Sequence, residues 1–403
     1  MKIDLEKYSK LKTYKSFEKD CYYDKVSKEL RIRTPKEIVR LSFVEFLHDE
    51  IGIPYDAMEL DVSISDYDSE ENGYMDIGVF GRDEDKCDII ILVVGCRAKG
   101  KPLNDEVFEE VCNYADIAEA PFVALTNGEE LELYYYDEEK DNYEQLEELL
   151  SYDGLCEKLS LDKYSSFNPY QKIADKFSNK EKVYKYLLEK TDIIGEDTEK
   201  SSYPIIVFLE DLFMNHFNKM KTIEKKEFKV CDLGTRYASF GNFNEAICVG
   251  DYRFFKVENK LGNTQIVGMG LFAFKKIINN MDFNNLLEKT YLTIVVSDIR
   301  KQYNSLDLEI DKSSTVNNDE VVFFDNLELI KEKDSSFKRE VVIEYLKNSD
   351  LKFEIENEKI IFGRIKITKE LNINDSSVQG LLVNLINYAL LLDKLKSETV
   401  LKK

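Results

Sequence analysis

The residues best suited to chemistry are one acid and a short run of cations in the first quarter of the chain. Asp76 interrupts an otherwise apolar predicted strand, where a carboxylate costs free energy unless it is paired or solvated. Arg97, Lys99 and Lys101 follow the apolar run 89–94 and form a local basic cluster. A guanidinium group can hold a phosphate through two parallel hydrogen bonds, and ammonium groups add positive charge. These residue types predict a site that binds phosphate groups.

A helix and several strands must position these residues. Thr34 can cap a helix that Pro35 begins, and Glu37 completes a capping box. That local role explains Glu37, which also remains a candidate for a functional carboxylate. Alternating and continuous apolar runs then predict strands, with one amphipathic helix between them. The predicted strands lie at residues 58–65, 74–80, 88–94, 122–125 and 131–136, and the helix at 104–119.

The order of these elements predicts one α/β domain over residues 34–137, with a mixed sheet flanked by helices. Residues 1–33 read as a charged helical lead-in. A helical linker is predicted for 138–200, with helices at 143–150 and 180–190, and strand and turn signals predict a β-rich domain for 201–335. Residues 336–403 are predicted to form a small α/β unit with a helix at 337–348, a hairpin at 351–367 and a helix from 376 to about 396. The fold class is therefore α/β in the broad sense, or α+β.

Composition excludes several classes of protein. The 403 residues carry a formal net charge of −22, which disfavours nonspecific duplex binding by bulk electrostatics. Seven scattered cysteines argue against a disulfide framework or a zinc ribbon, and two histidines argue against histidine catalysis. No secretion signal, membrane-length apolar run or phosphate-binding Gly-X-X-X-X-Gly-Lys loop is present. We therefore expect a soluble, cytoplasmic protein that binds neither membrane nor ATP.

An ordered set of motifs carries a resemblance to a known family. The set comprises Arg33-Thr34-Pro35-Lys36-Glu37 with Arg40-Leu41, Met75-Asp76-Ile77, Leu92–Lys99, Glu110 with Tyr114, and Ala120–Gly128. It resembles the N-terminal nuclease domain of type I restriction enzyme R subunits, a branch of the PD-(D/E)XK superfamily. The resemblance covers about a quarter of the chain, and it implies a restriction-endonuclease-like fold for that part.

The resemblance also implies roles for residues, with departures at the centre of the site. Asp76 would be the metal ligand and Glu37 the helix carboxylate, with Mg²⁺ or Mn²⁺ as cofactor if the site is active. Gly95 stands where the family has its second acidic ligand, Arg97 where it has lysine, and Glu110 where it has glutamine. An arginine stays protonated and cannot act as a base, so the Glu-X-Lys motif is degenerate. Asp76, Arg97 and Glu37 are thus the candidate catalytic residues, and Arg97, Lys99 and Lys101 the candidate nucleic-acid-binding residues.

Three hypotheses follow. The first is a nuclease-fold protein with an inactive or altered metal site that binds DNA, RNA or a protein partner in a restriction or phage-defence setting. The second is an active Mg²⁺- or Mn²⁺-dependent endonuclease with a migrated site, in which Lys99 or Lys101 replaces the lysine and Glu106 or Glu109 the carboxylate. The third is an oligomeric structural or adaptor protein whose acidic surface meets basic protein partners.

Overall fold

In the computed structural model the chain divides into two units, Met1–Asn168 and Pro169–Lys403, called unit 1 and unit 2. The division falls inside the segment 138–200 that is predicted to be a linker. The structure describes residues 1–85, 87–164, 180–190, 193–215, 218–241, 247–275, 287–299, 301–317, 320–327, 339–349, 353–366 and 372–400.

Unit 1 begins with a small antiparallel sheet of three strands. They are β1 (Thr13–Ser16), β2 (Lys19–Asp24) and β3 (Glu29–Ile32). Phe17 and Glu18 connect β1 to β2 with φ angles of 44° and 67°, since a two-residue hairpin turn needs positive φ. The predicted helical lead-in over residues 1–33 is therefore wrong. Phe-Glu is not a recognisable turn signal, so the sequence hides this hairpin.

Helix α1 (Pro35–Phe46) begins where the sequence predicts it. Thr34 Oγ1 accepts a hydrogen bond from the Glu37 N–H at 3.1 Å, which confirms the N-cap. The Glu37 carboxylate bonds to Arg40 instead of closing the capping box. A π-helical turn, Leu47–Ile51, extends the helix to Gly52, whose φ of 82° ends it.

Seven strands form the main sheet of unit 1. They are β4 (Met58–Ser63), β5 (Tyr74–Arg82), β6 (Asp88–Cys96), β7 (Phe122–Thr126), β8 (Leu131–Asp137), β9 (Asn142–Leu146) and β10 (Asp162–Lys163). Their order is β10-β5-β6-β7-β8-β9, with β4 also paired to β5. Strands β6 and β7 are parallel and are joined through helix α2 (Asp105–Ile117), while the other pairs are antiparallel. The predicted mixed sheet of an α+β fold is confirmed.

Each face of this sheet has its own core. Helix α1 contributes Leu41 and Val44 to one core, where they join Ile77 and Val94 of the sheet. Helix α2 contributes Val107 and Val111 to the other core, with Met75, Val93 and Leu125 among its members. Strand β6 is buried on both sides, as its continuous apolar run predicts.

The segment after β8 differs in part from its prediction. The helix predicted at residues 143–150 is wrong, because residues 142–146 form the edge strand β9. Its Tyr143 ring is buried and its hydroxyl donates to the Ala120 carbonyl at 2.9 Å, so tertiary contacts outweigh the helical propensity of the acidic residues around it. A short helix α3 (Tyr152–Lys158) follows, and α4 (Lys180–Lys190) confirms the second predicted helix.

Unit 2 contains two antiparallel sheets and four further helices within the described residues. The larger sheet runs in chain order through β11 (Ile223–Glu224), β12 (Phe228–Gly241), β13 (Ile247–Asn259), β14 (Thr264–Lys275), β15 (Glu288–Asp298) and β16 (Lys301–Glu309). The smaller sheet has the order β17-β18-β20-β19, where β17 is Ser314–Asn317, β18 Glu320–Asp325, β19 Glu354–Glu356 and β20 Lys359–Lys366. The helices are α5 (Tyr203–Met214), α6 (Ile310–Ser313), α7 (Arg339–Lys347) and α8 (Ser376–Val400).

The C-terminal elements form where they are predicted. Helix α7, the β19–β20 hairpin turning at Asn357, and helix α8 match them, although residues 337, 338, 351, 352 and 367 lie outside the described residues. Strand β18 pairs with β20, so one sheet joins residues on both sides of the predicted boundary at 335. Ser376–Ser397 is long and apolar enough to cross a membrane, but 72% of its apolar window is buried, as in a core helix.

Candidate functional site

Asp76 lies where β5 and β6 separate. The paired register of these strands reaches Ile77 and Val94, and Asp76 is one residue beyond it. Its Oδ2 accepts a hydrogen bond from the Cys96 N–H at 2.7 Å, in the place of a ladder carbonyl. Its Oδ1 lies 2.6 Å from Lys36 Nζ and 3.8 Å from an Arg40 guanidinium nitrogen. The Asp76 carboxylate is therefore buried, and two cationic side chains of helix α1 already balance its negative charge.

Glu37 belongs to the same end of α1 but is bound to Arg40. The Arg40 guanidinium donates to both Glu37 oxygens, at 2.9 and 2.7 Å, and also pairs with Asp61 of β4. Burial raises the pKa of Glu37, although Arg40 and Arg31 favour its charged form. For Asp61, burial opposes ionisation, but the guanidinium groups of Arg31 and Arg40 outweigh it and lower its pKa.

A second arginine extends this network to the N-terminal sheet. Arg31 of β3 donates to Asp24 at 2.7 Å and also pairs with Asp61. Asp24 is fully buried and accepts from the backbone N–H of Val26 at 2.8 Å. Strands β2, β3 and β4 are thus joined to α1 through ion pairs, of which Arg31–Asp24 is shielded from water whereas the Asp61 side chain is 44% exposed.

Gly95 is closed to any side chain. A Cβ atom at this position would lie 2.5 Å from Val111 Cγ2 and 3.1 Å from Leu125 Cδ2. Its α-hydrogen therefore faces helix α2, and the opening that a second acidic ligand would need is filled by apolar side chains. Cys96, the next residue, is fully buried, and burial raises the pKa of its thiol.

We expect Gly95→Ala to destabilise unit 1 by about 1–3 kcal/mol, because the new methyl group overpacks this contact. The companion variant Val111→Ala removes the clashing methyl group, so the double variant should be more stable than the two single effects added together. Hydrogen exchange of β6 amides in increasing urea measures both. Additive effects would show that Val111 is not the obstacle.

Arg97 contacts Glu110, one of the two helix residues that the resemblance singled out. Its guanidinium pairs with Glu110 of α2, and its backbone N–H donates to the Thr126 carbonyl at 2.8 Å. Burial raises the pKa of Tyr114, with further effects from Glu110, Arg97 and Asp76. The structure therefore brings these residues near Asp76, and the positive charge of Arg97 is already matched by an acid.

Lys99 and Lys101 lie on the exposed loop after β6. Lys99 forms a loose pair with Glu129 at 3.4 Å, and its side chain is 74% exposed. The Lys101 carbonyl accepts from Asn127 Nδ2 at 2.9 Å, which ties the loop to the turn between β7 and β8. Both ammonium groups face solvent.

A migrated metal site finds no support among the described residues. Glu106 and Glu109, the proposed replacement acids, are exposed on α2. No group of three histidine, cysteine or acidic side chains in the described part of the chain could hold a metal ion.

Two polar side chains of β13, Tyr252 and Arg253, are buried and bonded within unit 2. Arg253 is 1% exposed and bonds to Asp232 and to the carbonyls of Leu212 and Asn218, at 2.9 and 2.6 Å for the carbonyls. Tyr252 is fully buried and its hydroxyl donates to the Cys248 carbonyl at 3.1 Å. These contacts give both residues a structural role.

One buried acid in unit 2 escaped sequence analysis. Glu210 of α5 is 8% exposed, and burial, with repulsion from Asp251 and Asp211, raises its pKa to about 8. Its surroundings therefore favour the protonated form of this carboxyl. Its position in a strongly apolar helix was the one signal in the sequence.

The most important residue missed in unit 1 is Arg40. It stands three residues after Glu37 and four after Lys36, so a helix places all three on one side. That spacing could have identified the Glu37–Arg40 pair. The partners Asp24, Arg31 and Asp61 could not have been found, because strand pairing and packing bring them in.

Known families match the chain in one segment of unit 1. Residues 35–149 match the family model described as type I restriction enzyme R protein N terminus. Neither the curated proteins nor the solved structures gave a match. The matched segment includes Asp76, Gly95 and Arg97 and the elements that position them. Over residues 35–149 this chain is therefore similar to the N-terminal domains of type I restriction enzyme R proteins.

Proposed function

We propose that unit 1 is a nuclease-fold domain whose metal site is closed and which binds nucleic acid in a restriction or phage-defence setting. One observation carries the proposal: the Asp76 carboxylate is held by Lys36, Arg40 and the Cys96 N–H. A carboxylate with these partners has a structural role, because its charge is balanced and its oxygens are bonded within the fold. The family match supplies the restriction context.

The residues present do not fit a catalytic Mg²⁺ or Mn²⁺ ion. Such ions take near-octahedral oxygen ligands, and protein sites supply carboxylates for them. Here a lysine and an arginine lie within 4 Å of the Asp76 carboxylate, and repulsion would oppose a third cation. Gly95 has no side-chain oxygen and no room for one. No cleavage step therefore runs through a metal at this position.

The loop after β6 offers the cations for nucleic acid. Arg97 and Lys99 are held by partly exposed acids, in pairs of a kind that contribute about 0–1 kcal/mol. A phosphate group can compete with such pairs, and Lys101 is exposed beside them. Because the chain is strongly acidic, we expect this binding to be local and to weaken steeply with salt.

The test combines nucleic-acid binding, metal binding and cleavage on the full chain. Fluorescence anisotropy with short duplex DNA, single-stranded DNA and RNA at low salt should show binding that Lys99→Glu/Lys101→Glu weakens by about tenfold or more. The control Lys140→Glu/Lys163→Glu makes the same charge change at exposed positions at the other ends of β8 and β5, and it should have a much smaller effect. In calorimetry with Mg²⁺ and Mn²⁺, the wild type and Asp76→Ala should give the same result, because Asp76 binds no metal ion.

Two outcomes would contradict the proposal in different ways. Cleavage that requires a divalent ion and disappears in Asp76→Ala would establish the endonuclease hypothesis. Absence of binding to any of the three nucleic acids would remove nucleic-acid binding and favour an adaptor that meets protein partners.

A further inference from the structure

The N-terminal segment 1–33, which contains the three-stranded sheet, has a net charge opposite to that of the rest of the chain. Residues 1–33 contain ten lysines and arginines and six acids, whereas the whole chain has a net charge of −22. This segment lies before the family match, which begins at residue 35. Its excess of cations therefore has no explanation in the matched domain.

A surface pocket lies where β2 begins and β3 ends. It is lined by Lys19, Asp20, Ile32, Arg33, Thr34, Pro35 and Ile38. The turn at Phe17 and Glu18 places Lys19 there, and the Arg33 N–H donates to the Asp20 carbonyl at 2.9 Å. Two cations thus stand on backbone that the sheet holds in place.

These two cations differ from their neighbours in how their charge is met. Lys15, Lys25 and Arg31 all pair with acids at 2.6 to 2.7 Å. Lys19 and Arg33, in contrast, have no ion pair within 4.0 Å among the residues that the structure describes. The Arg33 guanidinium lies over the Tyr22 ring, 5.9 Å from its centroid, which orients it without neutralising it.

The one acid in the pocket does not cancel this charge. The Asp20 carboxylate lies 2.7 Å from Lys15 Nζ, and that contact lowers its pKa, with a smaller contribution from the more distant Arg33. The start of helix α1 adds little, since Thr34 Oγ1 already accepts from the Glu37 N–H. The pocket thus presents the positively charged side chains of Lys19 and Arg33 beside the apolar side chains of Ile32 and Ile38.

We propose that this pocket binds a backbone phosphate of nucleic acid and extends the binding surface of unit 1 beyond the family domain. The inference rests on the proposed function and adds a second contact to it. Lys36 connects the two regions, because it follows Pro35 of the pocket and its ammonium group lies on Asp76. A nucleic-acid strand that contacts both the Arg97 loop and the pocket would thus pass along the end of α1 that carries Lys36.

The experiment compares three double variants of the full chain on one labelled 20-base-pair duplex and its single strand. Lys19→Glu/Arg33→Glu should weaken binding by about tenfold at low salt and reduce the slope of log K against log salt by about 1–2, as for one or two lost phosphate contacts. The control Lys140→Glu/Lys163→Glu, which changes the charge equally but lies neither in the pocket nor on the loop after β6, should leave the slope nearly unchanged. Circular dichroism melting verifies that each variant is folded.

The outcomes separate the pocket from the proposed function. Binding weakened by Lys99→Glu/Lys101→Glu but not by the pocket variant overturns the pocket alone. Loss of binding in the pocket variant with no effect of Lys99 and Lys101 keeps the pocket and overturns the proposed site. No binding by the wild type overturns both, and competition by polyglutamate equal to that by DNA would assign the pocket to an acidic protein partner instead.

Discussion

Replacing Arg40 by alanine is expected to destabilise unit 1 by about 3–5 kcal/mol, since it breaks a buried ion network from one side. The substitution removes the bidentate partner of Glu37 and one of the two cations at Asp61, while both acids keep Arg31, and Asp76 loses a second positive neighbour. The Arg40 and Glu37 side chains are 7% and 10% exposed, so water can hardly replace the hydrogen bonds that Glu37 loses. Arg40 lies among these three acids and balances part of their negative charge, as a divalent ion would otherwise have to do.

Hydrogen exchange followed on peptides from β5 and β6 in increasing urea is the appropriate measurement, because two units need not unfold together. Arg82→Ala is the matched control. Arg82 pairs with Asp88 on the surface, and its loss should cost no more than about 1 kcal/mol. An Arg40→Ala variant as stable as the Arg82→Ala control would show that the network does not stabilise the fold, and the argument for a closed site would lose its basis.

Replacing Arg253 by methionine is expected to destabilise unit 2 by a similar amount, about 3–5 kcal/mol. The guanidinium group ties the last carbonyls of helix α5 to Asp232 of β12, and both side chains are 1% exposed. Methionine fills much of the same space, so the cost comes from the unpaired Asp232 carboxylate and the helix carbonyls.

Arg364→Met provides the comparison for unit 2. Arg364 bonds to Glu354 and Glu356 at the surface, so its loss should have little effect on the stability of unit 2. Exchange on peptides from α5 and β13 reports the difference. Equal protection in the two variants would mean that the helix end is held by apolar packing alone.

Much of unit 1 could be predicted because its signals are local. The N-cap at Thr34 depends on a hydroxyl three residues from the Glu37 N–H. The central position of β6 follows from its continuous apolar run, and the turn between β7 and β8 from Asn127-Gly128. The N-terminal hairpin is not predicted from the sequence, because the positive φ angles of its turn are adopted by Phe17 and Glu18 and not by glycine or asparagine, which mark such turns.

The order of residues is enough to show that position 95 has no carboxylate and that the arginine at position 97 stays protonated. It also predicts the helix and the strands around them. The role of Asp76, in contrast, depends on contacts between residues far apart in the chain. Its partner Lys36 lies forty residues earlier, and the Cys96 N–H that it accepts from lies twenty residues later. Such contacts depend on how α1 packs on the sheet and on where the β5–β6 register ends, and neither is set by local propensity. The packing of α2 against β6 also fills the space beside Gly95. The sequence shows that position 95 lacks an acid, and only the folded chain shows that it has no room for one.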